Sequence, residues 1–216
     1  MMPAATDLLL IRHAHTSSNC GSTALLSGRT DIPLSARGWH EVTLLSRSVR
    51  RTHVDAIYSS PLGRARDTAS AFESDAALPV QLCPELQEID CGLLDGLPLT
   101  EVKRRLPRHW AANLRQDDDR FRWPGGETYR EFRARSLSAI RRLAQAHRGQ
   151  TIAIVTHAGV ISQIIGALQG LSPASWEQFR PGNTGISRLT WRCGSAAVLT
   201  FDDRTHLQTC PVQLTA

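Results

Sequence analysis

Lysine is all but missing from this chain: Lys103 is the single one, so all but one of the 25 basic residues are arginine. The five cysteines, Cys20, Cys83, Cys91, Cys193 and Cys210, form no Cys-x-x-Cys pair and are odd in number, which argues against a disulfide framework and against a cysteine zinc site. A reducing cytoplasm is the expected setting. No basic leader opens the sequence, and the apolar run Leu8-Leu9-Leu10-Ile11 is too short for a signal core or a membrane span. No basic stretch is interleaved with aromatic residues, so nucleic acid is set aside as a partner. Repeats, low-complexity tracts and linker-like stretches are also lacking. A length of 216 residues with 41% hydrophobic composition can bury one sizeable core but not two of ordinary size. One domain over residues 1–216 is expected.

What the chain does have is arginine charge and a recurring order of elements. The pairs Arg50-Arg51, Arg104-Arg105 and Arg141-Arg142 read first as solvated helix faces. The sharper reading of the arginine skew is attraction of anionic substrates, since a guanidinium fork meets phosphate oxygens two at a time. Asp7 to Ile11, Val54 to Tyr58 and Thr151 to Val155 are short apolar runs that read as buried strands. Each runs into a polar segment and then a helical pattern. The polar segments are Arg12-His13-Ala14-His15-Thr16, Ser59-Ser60-Pro61-Leu62-Gly63-Arg64 and Thr156-His157-Ala158-Gly159. Ser35 reads as the N-cap of a helix from Ala36 to Arg51, and Ser60-Pro61 as cap and first-turn proline before a helix from Arg64 to Phe72. Thr128 and Glu131 make a capping box opening a helix to about His147, closed by Gly149. Gly185 to Arg192 and Ala196 to Asp202 read as two further strands around a turn at Cys193-Gly194-Ser195. The expected fold is α/β, a three-layer α/β/α sandwich with a largely parallel central sheet. Ligands in such sheets bind beyond the carboxyl ends of the strands.

Those ends carry Arg12, His13, Arg64 and His157. Singly, each is more often a surface or core residue than a catalyst. Two histidines and two arginines at one sheet edge, with helix N-termini nearby, make a cationic pocket suited to a phosphoryl group.

Six ordered blocks carry a closer likeness: LLLIRHAHTSSN at Leu8 to Asn19, SGRTDIPLSARG at Ser27 to Gly38, YSSPLGRARDTA at Tyr58 to Ala69, LQEIDCGLLDG at Leu86 to Gly96, WPGGET at Trp123 to Thr128 and VTHAGVI at Val155 to Ile161. Through them the chain resembles, over most of its length, the histidine phosphatase superfamily, whose members are similar to cofactor-dependent phosphoglycerate mutase. The resemblance implies a phosphoglycerate mutase-like fold, His13 as nucleophile, Arg12, Arg64 and His157 around the phosphate, and Glu88 as proton donor. It implies that Thr16, Asn19, Ser27, Gly28 and Ala158 line the substrate site, and that neither metal nor cofactor is needed.

The chemistry is coherent without the family name. A neutral imidazole can attack phosphorus in line and replace one hard displacement by two easier ones. The arginines oppose a second positive charge on His13 and stabilise the equatorial oxygens of the transferring group. His157 is expected to be cationic or to donate a hydrogen bond, as a stabiliser and not a base. One carboxyl can protonate the leaving alkoxide and then activate the water that cleaves the phosphohistidine. Spacing alone does not choose it among Glu85, Glu88, Asp90 and Asp95; only the block match selects Glu88, with Asp90 its rival. Thr16 and Asn19 read equally well as loop caps. Ala14 stands where the family usually has glycine, so its methyl either crowds the phosphate or restricts the loop. His15 stands where Glu or Gln is frequent, and Ala158 where glycine is common.

Two other classes stay in view. His13 and His15 form a His-x-His pair like the metal ligands of amidohydrolase barrels, but a barrel of roughly 250 residues is longer than this chain. The other is a noncatalytic phosphate-binding module that has lost turnover. Within the family, a mutase keeps its phosphohistidine dry while a phosphatase admits water, so the lid decides. The candidate lid is Leu97 to Thr128, and the extended insertion and tail of longer mutases are missing. Phosphomonoesterase is therefore expected over phosphoglycerate mutase-type transfer. The EIDCGLLDG and PGGET blocks are most similar to those of alpha-ribazole phosphatases, which remove phosphate from a nucleotide-loop precursor in cobalamin biosynthesis. The expected partner is a small phosphorylated metabolite, with no membrane, and a homodimer is allowed.

Overall fold

The computed structural model describes residues 4–18, 24–75 and 78–208. Asn19, Cys20 and Cys210 lie outside them. Strands β1 (Thr6–Arg12), β2 (Ala56–Ser59), β3 (Val80–Leu82), β4 (Thr151–Thr156), β5 (Ile186–Arg192) and β6 (Ser195–Asp203) form one six-stranded sheet in the order β3-β2-β4-β1-β5-β6. The first four are parallel to one another, while β5 is antiparallel to both β1 and β6. The helices are α1 (Ala36–Val49), α2 (Gly63–Ala69), α3 (Leu99–Arg105), α4 (Pro107–Arg115), α5 (Tyr129–Ala146) and α6 (Ala158–Leu168). None of the described helices is long and apolar enough to cross a membrane. Cys83, Cys91 and Cys193 are free thiols.

Side chains alternate across a strand, so a strand covered on both faces must be apolar at every position. Leu9 and Ile11 of β1, with Ala153 and Val155 of β4, pack on α1 and α2 through Val42, Leu45, Ala65 and Ala69. Leu8 and Leu10, with Ile152 and Ile154, pack on α5 and α6 through Ile140, Leu143, Ile161 and Ile164. This is the three-layer sandwich that the apolar runs predict. The open sheet is not a closed barrel, which removes the structural basis of the amidohydrolase likeness. A third cluster joins Val102, Phe121 and Trp123 of the 97–128 segment to Cys91, Leu94 and Tyr129.

Registry positions the site. Arg12 lies beside Thr156 in the β1–β4 ladder, so His13 and His157 leave the sheet side by side. Ser59 lies beside Val155 in the β2–β4 ladder, which brings Ser60 to the same edge.

Local expectations hold where the signal is local. Ser35 caps α1 by accepting from the Gly38 N–H at 3.1 Å. Thr128 Oγ1 accepts from Glu131 N–H, and the Glu131 carboxylate accepts from Thr128 N–H, closing the capping box of α5. Cys193 and Gly194, at φ 51° and 81°, make the left-handed turn that matches sheet twist between β5 and β6. The start of α2 differs. Its N-cap position is Leu62, with no side-chain cap, because Ser60 is drawn to His157; instead Asp31 Oδ1 accepts from the Gly63 N–H at 2.8 Å. The α-helix stops at Ala69 and continues as a 3₁₀ turn over Ser70–Asp75. Strand β3 has no counterpart in the sequence reading. It is a three-residue edge strand with Leu82 52% exposed, so no apolar run marks it.

Candidate active site

His13 follows β1 and donates its backbone N–H to Thr156 O at 2.9 Å. Its Nδ1 lies 2.8 Å from Ala14 O. A carbonyl oxygen only accepts, so the ring proton sits on Nδ1 and Nε2 keeps the lone pair. Asn183 Nδ2 donates to His13 O at 2.9 Å and fixes the backbone from the other side. The His13 and His157 rings are 5.2 Å apart between centroids, and both are buried.

Two arginines flank them. Arg12 donates from Nη1 to Pro181 O at 2.8 Å, while its Nε is buried with no partner. Arg64, in the first turn of α2 and buried, donates to Thr30 O at 2.8 Å and Gly28 O at 2.7 Å. The loop supplying those carbonyls is held by Asp95, whose carboxylate accepts from the N–H groups of Gly28, Arg29 and Thr30 at 3.0, 2.6 and 3.2 Å and from Thr30 Oγ1 at 2.7 Å. A Cβ at Gly28 would meet Ile89 O at 2.1 Å, so the loop closes only on glycine.

His157 is the N-cap residue of α6. Its Nε2 lies 2.8 Å from Ser60 Oγ, and its Nδ1 is buried without a partner. Ser60 Oγ accepts from Leu62 N–H at 3.3 Å and keeps its own hydrogen for donation to Nε2, the arrangement in which the His157 proton sits on Nδ1. Two buried polar atoms near the His13 ring, Arg12 Nε and His157 Nδ1, thus have no partner among the described residues. Unpaired buried donors are costly, and an anion between them removes the cost.

Burial, then Arg12 and Arg64, hold the His13 imidazole well below the usual histidine range. Burial, then Arg64, His13 and Arg12, do the same to His157. Burial, reinforced by Arg180, lowers Arg12 to about 10, still cationic at neutral pH. Of the two roles expected for His157, cation or hydrogen-bond donor, burial and the neighbouring arginines favour the neutral donor. A stability prediction follows from linkage. The unfolded chain binds a proton on each histidine near pH 6.5 whereas the folded chain does not, so lowering the pH below about 6.5 favours unfolding by about 1.4 kcal/mol per pH unit for each ring. Urea unfolding between about pH 7.5 and about pH 5.5 should show that loss, and His157→Gln should reduce its slope. Saturating inorganic phosphate should also flatten it, because a dianion raises both imidazoles. An equal slope in wild type and variant would refute the assignment.

Glu88 is half-buried. Its Oε1 accepts from Ile89 N–H at 2.9 Å and its Oε2 from Gly159 N–H at 3.0 Å. A Cβ on residue 159 would lie 2.2 Å from Oε1, so Gly159 makes room for the carboxylate. Arg135 holds the backbone around it, donating to Glu85 O, Gln87 O and Glu88 O at 2.8, 2.7 and 2.8 Å while paired with Glu127. The competing carboxylates are committed elsewhere. Asp90 pairs with Arg29 at 3.0 Å and accepts from Gly92 N–H, Glu85 pairs with Arg142 at 2.9 Å, and Asp95 holds the 28–30 loop. Of the four, only Glu88 lines a cavity of about 310 Å³.

Ser27 and Ala158 line that same cavity. Gly28 contributes its carbonyl to Arg64. Thr16 is buried, with Oγ1 3.0 Å from Ser18 Oγ and a bridge to Leu34. Asn19 lies outside the described residues. The Ala14 methyl is fully buried in the α1–α2 core, so it faces away from the phosphate pocket, while Ala14 N–H donates to Thr68 Oγ1 at 2.9 Å. His15 turns its Nδ1 to Ser35 Oγ at 2.9 Å. Sequence reasoning missed Ser60 as a partner of His157, Asn183, Asp95 and Arg135. A serine before proline reads as a helix cap, Asp95-Gly96 as a turn, and nothing in the spacing of α5 singles out Arg135.

The sequence profile of the histidine phosphatase superfamily (branch 1) matches residues 8–204. The adenosylcobalamin/alpha-ribazole phosphatase of Escherichia coli (strain K12) is 32% identical over 174 residues, covering 80% of this chain and 84% of the relative. A Yersinia enterocolitica protein described as a probable phosphoglycerate mutase, GpmB, is 25% identical over 206 residues, covering 93% and 94%. Among solved structures, the phosphoserine phosphatase of Entamoeba histolytica in complex with 3-phosphoglyceric acid is similar at a TM-score of 0.81 and 28% identity, over 94% of this chain and 99% of that one.

Proposed function

The chain belongs to the histidine phosphatase superfamily, and on that premise we propose that it hydrolyses phosphate monoesters through a phosphohistidine on Nε2 of His13. The observation that carries the reading is a lone pair on His13 Nε2 at the same strand edge as two buried groups, Arg12 Nε and His157 Nδ1, that have no partner among the described residues.

In the first step Nε2 attacks phosphorus, the P–O ester bond breaks, and the leaving alkoxide takes the Glu88 proton. The Ala14 carbonyl, accepting from Nδ1–H, steadies the positive charge that grows on the ring. Arg12, Arg64 and the neutral His157 donate to the three equatorial oxygens, where charge accumulates in a loose phosphoryl transfer. In the second step the Glu88 carboxylate takes a proton from water, water attacks phosphorus, the P–N bond breaks, and inorganic phosphate leaves with His13 neutral again. Ser60 acts through His157, by holding its tautomer.

For the substrate, the finer proposal is alpha-ribazole phosphate, supported by the Escherichia coli relative. The test is phosphate release from alpha-ribazole phosphate, phosphoserine and 3-phosphoglycerate, each with and without a strong chelator. Fastest release from alpha-ribazole phosphate, unchanged by chelator, is expected. Conversion of 3- to 2-phosphoglycerate without phosphate release would indicate the mutase reading that the Yersinia relative favours. Ligand binding with no acid-labile phosphoenzyme would indicate a noncatalytic module.

A further inference from the structure

The cavity beside Glu88 has a composition that speaks to the leaving group. It runs from Glu88 and Gly159 under the 97–128 segment, and its floor is Trp123, Tyr129 and Phe132, all buried. Its roof is helix α4, which has no buried residue of its own. Trp110, Asn113 and Leu114, spaced to share one helical face, all line the cavity, yet Leu114 remains 58% exposed. An amphipathic helix ordinarily lays such a stripe on the core; here Trp110 is half-buried against the third cluster while Leu114 stays exposed at the cavity, so an apolar occupant would complete the burial of Leu114.

The charged lining residues are Glu88, Glu177 and Arg180. Arg180 is engaged, with Nη1 3.5 Å from Glu177 Oε1 and its guanidinium 5.8 Å from the centre of the Trp176 ring. That leaves no unengaged cation among the described lining residues for a substrate carboxylate. Donors are present instead. Tyr129 donates to Asn113 Oδ1 at 2.5 Å, which leaves the Asn113 amide hydrogens for an occupant. A pocket of largely apolar walls with a few convergent polar groups is the usual form of a small-molecule site.

We propose that this cavity takes the leaving group as an uncharged aromatic ring system, so that the preferred substrates are phosphates of ring-bearing alcohols rather than of small amino or hydroxy acids. The inference rests on the phosphomonoesterase reading for the fate of the phosphate, but the occupant of the cavity is testable without turnover. Aromatic faces on floor and roof would sandwich the ring in offset or edge-on contact, with the ester oxygen held at Glu88 and the phosphate at His13. Trp110 and Leu114 then set specificity by closing over the ring.

The experiment has two arms. In the first, kcat/KM is compared for 2-naphthylmethyl phosphate, ethyl phosphate, phosphoserine and 3-phosphoglycerate, all alkyl esters of similar intrinsic reactivity. The naphthylmethyl ester should be preferred over each of the others by about tenfold or more, and Trp110→Ala and Leu114→Ala should each erase most of that preference. In the second, calorimetry measures binding of 2-naphthylmethylphosphonate and ethylphosphonate, which cannot be hydrolysed, to wild type and both variants. The naphthyl compound should bind about tenfold more tightly to wild type only. Loss of all turnover with the phosphonate preference intact would overturn the catalytic reading and leave the cavity assignment standing. Equal phosphonate affinities, or faster turnover of phosphoserine or 3-phosphoglycerate than of the naphthylmethyl ester, would overturn the assignment itself.

Discussion

His13→Ala should abolish turnover, lowering kcat by about five orders of magnitude, as expected when a covalent nucleophile is removed from a set of groups that act together. The phosphate clamp should survive. Arg64 is held by the carbonyls of Gly28 and Thr30, and Arg12 by that of Pro181, none of which depends on the imidazole. Inorganic phosphate should therefore still bind within several-fold of wild type, which separates loss of chemistry from loss of fold. The neighbouring histidine offers no substitute, because the His15 ring is turned to Ser35 and is only partly buried. Acid quenching after mixing with a radiolabelled monoester should trap a phosphoenzyme in wild type that is labile to acid and stable to base, and none in the variant. Labelling of His13→Ala, or turnover within about a hundredfold of wild type, would show that another group attacks phosphorus.

Why so much of this site is legible in the sequence, and the rest is not, follows from the range of each interaction. Strands β1 and β4 are apolar at successive positions because both faces are covered, and a run of that kind is visible without knowledge of its partners. The α5 capping box is legible for the same reason, since donor and acceptor are three residues apart. Glu88 is different. What distinguishes it from Asp90 and Asp95 is not its own neighbourhood in the chain but Gly159, which lends an N–H and the space of a missing Cβ from 71 residues away. Asp95 likewise looks like a turn residue until the 28–30 loop is folded onto it. The Ala14 methyl poses the converse problem: the residue type suggests crowding of the phosphate, and only the direction of its Cβ, into the core shared with Leu34 and Ala65, shows that it does none. Ser60 was visible as a polar residue at a helix start, yet the parallel register that sets β2 beside β4 diverts it to His157. The residues proposed to contact the phosphate sit in local motifs; those that hold them in place are recruited across the fold.

Glu88→Gln gives the second large effect, and its dependence on leaving group identifies the role. With alkyl esters, whose alkoxides need a proton to depart, kcat should fall by about two to four orders of magnitude, the usual contribution of a positioned acid. With 4-nitrophenyl phosphate the leaving phenolate departs without that proton, so phosphorylation of His13 should stay fast. Hydrolysis of the phosphohistidine still needs a base for the attacking water, and the amide cannot serve. The variant should accordingly release a stoichiometric burst of nitrophenol and then stall as phosphoenzyme, a pattern that a merely structural loss at residue 88 does not produce. The glutamine oxygen can keep one of the two hydrogen bonds from Ile89 and Gly159, which limits the local disturbance. Asp90→Asn is the matched control: it weakens the pair with Arg29, an ion pair at a partly exposed position worth about 1 kcal/mol or less, and should leave kcat within several-fold. If Asp90→Asn stalls the enzyme while Glu88→Gln turns over alkyl esters normally, the proton passes through Asp90 and the cavity beside Glu88 is not where the leaving group departs.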